Sequence, residues 1–252
     1  MKEYKYLLWD IDGTVMDFLA AERAAIKTLF IKFNLGECTD EMLKRYSAIN
    51  VSYWKALERG EKTKPQILVE RFRDFFSEEG IDPNYAEAFN EEYQVTLGDT
   101  VVFKDNSDGL LSDLKDKYIL AAVTNGTRVA QEKKLKNSGL DKVFDYIFIS
   151  EVVGSEKPNK QFFDKAFESM NIYAKDILET GISSNEFSKD ITPEEKSKIL
   201  IIGDSLTSDI RGGINAGIDT CWYNPNGESN DADMVPTYVI SNLNELKNIL
   251  QG

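Results

Sequence analysis

The stretch Leu7-Leu8-Trp9-Asp10-Ile11-Asp12-Gly13-Thr14 decides how this chain is read. It begins as an apolar run, Tyr6 to Trp9, of the kind a buried parallel strand shows. It then breaks into two aspartates two residues apart, followed by Gly-Thr. A strand alternates its faces, so Asp10 and Asp12 would point the same way if the strand continued. Gly13 argues instead for a tight turn. Two carboxylates at the carboxyl end of a buried strand are costly unless they bind a cation or do chemistry. The rest of the chain is therefore read for their partners.

After Thr14 the pattern turns helical and stays so to about Gly98. Phe18, Ala21, Ala25, Leu29 and Phe33 recur at three-to-four spacing and predict an amphipathic helix. A second helix is expected from about Thr39 to Glu58. Thr63-Lys64-Pro65-Gln66 fits a capping box with proline in the first turn, opening a third helix to about Glu79. Asp82-Pro83 opens a fourth, ending near Gly98. No strand signal interrupts this block, so residues 17–99 are expected to form an all-helical cap inserted into a core of 1–16 and 100–252. Trp54 and Phe72 are read as cap core. Tyr53, Trp54 and Phe18 are the aromatic candidates for meeting a leaving group.

From Val101 the period changes. Ser107–Tyr118 reads as a helix, and Ile119–Val123 as a strand ending in Thr124-Asn125-Gly126. A helix follows over Arg128–Asn137, closed by Gly139. Phe144–Ile149 is the next strand candidate. Gly154-Ser155-Glu156-Lys157-Pro158-Asn159 then leads into a helix over Lys160–Met170. Ile199–Ile202 is a further strand, ending in Gly203-Asp204-Ser205-Leu206-Thr207-Ser208-Asp209. A helix to about Ala216 follows, with strands near Thr220–Tyr223 and Thr237–Ile240 and a last short helix. This alternation implies a parallel sheet with helices on both faces. Ligands bind such sheets outside the carboxyl ends of the strands. The loops at that end carry Asp10–Thr14, Thr124–Gly126, Lys157 and Gly203–Asp209. Residues 174–198 lack clear periodicity and read as a surface excursion, with room for an oligomer contact.

Composition narrows the chemistry. At 252 residues the chain can bury a large core. A net charge of −13 argues against a nucleic-acid polymer or an anionic membrane as partner. Histidine is absent, which removes imidazole proton shuttles and His-ligated zinc together. Cys38 and Cys221 are far apart and form no metal pattern, so free thiols in a reducing cytoplasm are expected. No leader-like apolar region opens the sequence, and no run reaches about 18 apolar residues. A monomer or homodimer is expected.

The four loops hold what phosphoryl transfer without a nucleotide cofactor requires. Asp10 suits the nucleophile. Asp12 can protonate a leaving alkoxide and later deprotonate water. Asp204, with Asp10 and the main-chain carbonyl of Asp12, can bind Mg²⁺. Asp209 can hold a metal-bound water or orient the lysine. Lys157 offers a point charge to a phosphate oxygen and offsets repulsion among the carboxylates. Thr124 can donate its hydroxyl, and Asn125 and Gly126 can offer amide donors. Each piece alone has a bland reading: a surface Asp-x-Asp, a Thr-Asn-Gly turn, a solvated lysine, a helix N-cap. Those readings weaken together, because all four follow strand candidates in one alternating pattern.

Asp10-Ile11-Asp12-Gly13-Thr14, Thr124, Lys157-Pro158 and Gly203-Asp204-Ser205…Asp209 resemble, in order, the four motifs of the haloacid dehalogenase (HAD) superfamily. The helical insert stands where that superfamily's type 1 cap stands. The resemblance spans essentially the whole chain. It implies an α/β fold, a Rossmann-like doubly wound parallel sheet with an inserted helical cap. It also implies Mg²⁺-dependent chemistry through an aspartyl intermediate, with the roles given above. Asp12 is similar to the acid of the phosphatases, a group the dehalogenase members lack.

A finer resemblance is to the pyrimidine 5′-nucleotidase branch. It rests on Asp17-Phe18, Thr124-Asn125-Gly126, Asp209-Ile210-Arg211-Gly212-Gly213-Ile214-Asn215-Ala216-Gly217 and Thr220-Cys221-Trp222-Tyr223-Asn224-Pro225. It implies dephosphorylation of nucleoside monophosphates, a small phosphorylated metabolite as partner. The 174–198 segment departs from that branch in being longer. A sugar-phosphate phosphatase or a phosphomutase would share every catalytic residue. A 2-haloacid dehalogenase is disfavoured by Asp12, and a non-catalytic phospho-ligand sensor by the retention of Asp10 and Lys157.

Overall fold

A computed structural model describes residues 3–172, 191–230 and 234–251. Most of the expected 174–198 excursion therefore lies outside the described residues. Its described end carries a one-turn helix, Pro193–Lys196, capped by the Thr192 hydroxyl.

The chain divides into two compact units, residues 3–15, 104–125 and 142–251 in one and 16–103 with 126–141 in the other. The first is built on a sheet of six parallel strands. These are β1 Tyr6–Trp9, β2 Ile119–Thr124, β3 Tyr146–Ile149, β4 Ile199–Gly203, β5 Asp219–Tyr223 and β6 Tyr238–Ile240. Their order in space is β3-β2-β1-β4-β5-β6, a doubly wound sheet. The α/β expectation holds in this arrangement. β1 sits centrally and in register with both neighbours, with Trp9 opposite Ala122 on β2 and Ile202 on β4. The strand order reverses between β1 and β4, so the loops after these two strands flank the crevice where such sheets bind ligands.

All four residues of β1 are buried, as its unbroken apolar run requires. Tyr6 and Leu8 join Ala121, Val123, Ile199 and Ile201 in one core with Phe162, Phe163 and Phe167 of the helix Lys160–Ser169. Their alternates Leu7, Trp9, Leu120 and Ile202 are equally buried, at 0 % exposure, so both faces of the sheet are covered.

The second unit is helical. It holds α1 Phe18–Lys32, α2 Asp40–Glu58, α3 Lys64–Glu78 and α4 Ala86–Thr96, together with the later helix Arg128–Ser138. The N-termini follow local chemistry. Asp17 accepts the Ala20 amide, Thr39 accepts the Met42 amide, and Gln66 closes the capping box on the Thr63 amide at 2.9 Å. The expected fourth helix opens at Asp82-Pro83 as a single 3-10 turn, Pro83–Tyr85, before α4 begins. The core is aromatic: Tyr46 stacks on Phe72 at 5.0 Å between centroids, and Phe75, Phe76 and Phe89 pack around them. Phe72 is core as read from sequence, whereas Trp54 is only half-buried and stands outside this cluster.

Through that core runs a chain of buried polar side chains. Glu22 accepts from Asn50 at 2.8 Å and from the Ser47 hydroxyl. Asn50 accepts from Arg71 at 2.6 Å, and Asn90 accepts from Arg71 at 3.4 Å and from Gln94 at 2.9 Å. Gln94 accepts from Thr127 at 2.8 Å, the residue that caps the helix Arg128–Ser138. Among the described residues, no helix is long and apolar enough to cross a membrane.

Candidate active site

β1 delivers Asp10 directly past its last residue, and the Asp10 amide still donates to Ile202 O at 2.9 Å. The strand pairing thus fixes the backbone from which the carboxylate hangs. The chain then turns: Val15 N donates to Ile11 O, and Gly13 takes φ +98°. A Cβ on Gly13 would lie 2.4 Å from an Asp204 carboxylate oxygen, so only glycine lets the two loops approach this closely. Thr14 ties them together. Its hydroxyl donates to Asp204 Oδ1 at 3.1 Å and accepts the Asp204 amide at 3.0 Å. The Trp222 indole at the end of β5 donates to Asp204 O at 2.9 Å.

After β4 the chain runs through Ser205 into a π-turn, Leu206–Ile210, and then the helix Arg211–Ala216. The wide turn folds Asp209 back onto Gly203, where a Cβ would come within 2.2 Å of the Asp209 carboxyl carbon. Asp209 uses both oxygens: Oδ2 accepts the Ser205 amide at 3.0 Å, and Oδ1 accepts from Lys157 at 2.6 Å.

Lys157 is 1 % exposed. Its ammonium donates to Asp10 Oδ1 at 2.8 Å, Asp209 Oδ1 at 2.6 Å and Val123 O at 2.7 Å. Three donors meet three acceptors, which is what lets a lysine be buried as an ion. Burial pulls its pKa down, but Asp10 and Asp209 reverse this and hold it above the ordinary lysine value. For Asp10, burial dominates and raises the pKa well above the usual carboxylate range. Lys157 opposes that rise, while Asp209 and Asp204 add to it. Asp204 is pushed up to about 7, first by burial and then by Asp209.

Asp10, Asp204 and Asp209 each present an oxygen within 4.8 Å of the others. Asp10 Oδ2 is buried without a hydrogen-bond partner. A lysine, three clustered carboxylates and an orphaned carboxylate oxygen leave an excess of negative charge that one hard divalent cation would balance. The residues present fit such an ion, with Asp10 and Asp204 as the side chains able to ligate it.

Thr124, at the end of β2, is 1 % exposed. Asn125 follows, its side chain bonded to the main chain of Lys157. Asp12 is half-buried in the turn after Asp10. Thus Asp10, Asp12, Thr124, Asn125, Lys157, Asp204 and Asp209 all fall in the sheet unit, at the ends of β1, β2 and β4 or in the loop before the helix Lys160–Ser169. Gly126 falls in the helical unit, packed against the Gln131 side chain. Thr14 and Ser205, which fix Asp204 and Asp209, stand inside the quoted motifs, and the sequence assigns them no role of their own. Thr14 acts through its hydroxyl and Ser205 through its main-chain amide, so only the first leaves a signal in its residue type.

Comparison with known proteins agrees with this geometry. The haloacid dehalogenase-like hydrolase family profile matches residues 4–217. The HAD-hydrolase YfnB of Bacillus subtilis is 38 % identical over 99 % of this chain and 97 % of its own. A crystal structure of YfnB bound to magnesium superposes with a TM-score of 0.83, at 36 % identity over 100 % of both chains. The pyrimidine 5′-nucleotidase PynA of Streptococcus pneumoniae is 34 % identical, and the pyrimidine 5′-nucleotidase YjjG of Escherichia coli 27 %, each over 98 % of both chains. With its strand order, its four loops and these relatives in agreement, the chain belongs to the haloacid dehalogenase-like hydrolases.

Proposed function

We propose that this hydrolase is a Mg²⁺-dependent phosphatase that cleaves phosphate monoesters through an aspartyl-phosphate, acting on pyrimidine nucleoside monophosphates. The observation that carries the reading is Asp10. One of its oxygens is held by Lys157, and the other is buried, unpartnered and next to two further carboxylates. The choice of nucleotide is supported by the two pyrimidine 5′-nucleotidases among the relatives, and the choice of cation by the magnesium-bound YfnB structure.

In this mechanism Asp10 Oδ2 attacks phosphorus and forms a P–O bond as the ester oxygen leaves. Asp12 gives that oxygen its proton. Asp12, now a carboxylate, then takes a proton from water as the water oxygen attacks the phosphoryl group and Asp10 departs. Lys157 holds Asp10 Oδ1 and supplies positive charge to a phosphate oxygen. The Thr124 hydroxyl and the main-chain amides of Asn125 and Gly126 serve as donors to the remaining oxygens. Asp209, with both oxygens engaged, orients Lys157. Asp10, Asp204 and the Asp12 carbonyl would hold Mg²⁺, which would supply positive charge against that building on phosphate and carboxylates. The two free cysteines suit a reducing cytoplasm.

The test is phosphate release from pyrimidine and purine nucleotides, sugar phosphates and an aryl phosphate, with Mg²⁺ and with chelator. Mg²⁺-dependent release favouring UMP, dUMP or dTMP is expected. Preference for a sugar phosphate would move the substrate to that class, and phosphoryl transfer to a second sugar hydroxyl would mark a mutase.

A further inference from the structure

The Asn125 side chain joins three of the site's segments. Oδ1 accepts the Lys157 amide at 2.9 Å, and Nδ2 donates to Lys157 O at 2.8 Å and to Ser208 Oγ at 3.3 Å. Its orientation is unambiguous, because an amide N–H must face Oδ1 and a carbonyl must face Nδ2. A side-chain amide has two donors, and both are spent on protein. Nothing is left on it to donate to a substrate. Asn125 itself is placed by the end of β2, whose residue Val123 also accepts from the Lys157 ammonium at 2.7 Å. Ser208 is bound in turn, its amide donating to Ser205 Oγ at 3.1 Å, one residue before Asp209.

We propose that Asn125 is a positioning residue. Its side chain clasps both main-chain polar groups of Lys157 and the turn carrying Asp209, and so sets the lysine against Asp10 rather than touching substrate. Lys157 stands on a loop, not on a strand, and its ammonium must meet Asp10, Asp209 and Val123 at once. A loop held at one residue by two opposed hydrogen bonds cannot slide along or rotate about that point without breaking one. The clasp therefore gives a loop residue the precision that a strand gives Asp10. The kinetic part of this inference rests on the phosphatase reading above, whereas the placement of Lys157 does not.

The test compares wild type, Asn125→Ala and Asn125→Asp by two independent readouts. The first is kcat/KM with Mg²⁺ on UMP, a sugar phosphate and an aryl phosphate. The second is the rate of amine labelling at Lys157, read by mass spectrometry against Lys134, a lysine equally buried at 1 % in the helical unit. Asn125→Ala is expected to lower kcat/KM by roughly ten- to a hundredfold, by the same factor on every substrate. It should speed labelling of Lys157 and leave Lys134 unchanged. Asn125→Asp should fall between, because its carboxylate still accepts the Lys157 amide; should Asn125→Ala not fold, this variant alone must show faster Lys157 labelling. A loss concentrated in KM and confined to the nucleotide would make Asn125 a substrate contact and overturn the proposal. So would unchanged labelling of Lys157, or a parallel rise at Lys134. Absence of turnover by the wild type would remove the phosphatase reading, and the labelling would still decide the role of Asn125.

Discussion

Lys157 and Asp10 form a buried ion pair, the ammonium 2.8 Å from Oδ1 with 1 % and 9 % of their side chains exposed. The pair is not self-contained, because Asp209 shares the same ammonium at 2.6 Å. Removing the lysine would leave two buried carboxylates facing each other. Lys157→Met should therefore destabilise the metal-free protein by about 3–5 kcal/mol near neutral pH, as breaking a buried pair does. The deficit should shrink in acid, where Asp10, whose pKa is already raised, takes up a proton. Thermal unfolding of both proteins in chelator, at pH 5 and pH 8, measures this.

Gly13 and Asp204 meet across the two central loops. Gly13→Ala places a methyl 2.4 Å from Asp204 Oδ2 at a φ of +98°. The backbone strain alone costs about 1–2 kcal/mol. The carboxylate must also shift away from Thr14, so divalent-ion affinity should fall together with stability. Isothermal titration with Mg²⁺ reads the affinity directly, and an unchanged affinity would show that Asp204 does not ligate the ion.

Asp204 gives that ion a pH dependence. Its pKa stands at about 7 in the folded protein, above the ordinary aspartate value of 3.8. The folded state thus binds more protons than the unfolded state between these values. In chelator the contribution to stability is full below the lower value and is lost as pH rises through about 7. Mg²⁺ must displace the proton, so its apparent Kd should rise about tenfold per pH unit below 7. Asp204→Asn should weaken Mg²⁺ binding and flatten the slope, leaving the part set by Asp10, whose pKa is also raised. The measurement is Mg²⁺ titration across pH 5.5 to 8.5, paired with melting curves of both proteins in chelator.

The sequence showed the frame of this site better than its fastenings. Tyr6–Trp9 and Ile199–Ile202 were legible as strands because parallel strands buried on both faces carry unbroken apolar runs. Asp10 and Asp204 were legible because charge at the end of such a run demands a reason. The Asn125 clasp on Lys157 was not, since Thr-Asn-Gly reads as a turn whichever way the amide points. Nor was the π-turn at Leu206–Ile210, because the sequence reads Gly203–Asp209 as a loop that leads into the next helix. The polar chain in the helical unit left a faint trace. Glu22, Asn50, Arg71 and Asn90 sit among the apolar stripe positions of their helices, where a charge or amide must find a partner.

That chain yields a further prediction. Arg71 donates to Asn50 and Asn90, and its guanidinium lies 5.3 Å from the Tyr93 ring centroid. Burial raises the pKa of Glu22, against the pull of Ser47, Arg71 and Asn50. Arg71→Ala removes the compensating charge and should cost about 3–5 kcal/mol. The pair Glu22→Gln with Arg71→Met should cost less than the sum of the single changes, because it removes both charges and fills the space. Denaturant unfolding of the two single variants and the double variant checks this, and strict additivity would show that the charges do not communicate.

The most direct measurement is an acid quench in the first turnover with UMP and Mg²⁺, followed by mass analysis of the peptide containing Asp10. The expected result is one added phosphoryl group on that peptide in the wild type, absent from a folded Asp10→Asn variant that releases no phosphate. Substantial phosphate release by Asp10→Asn, or turnover by the wild type with no phosphoryl adduct on that peptide, would contradict Asp10 as the nucleophile.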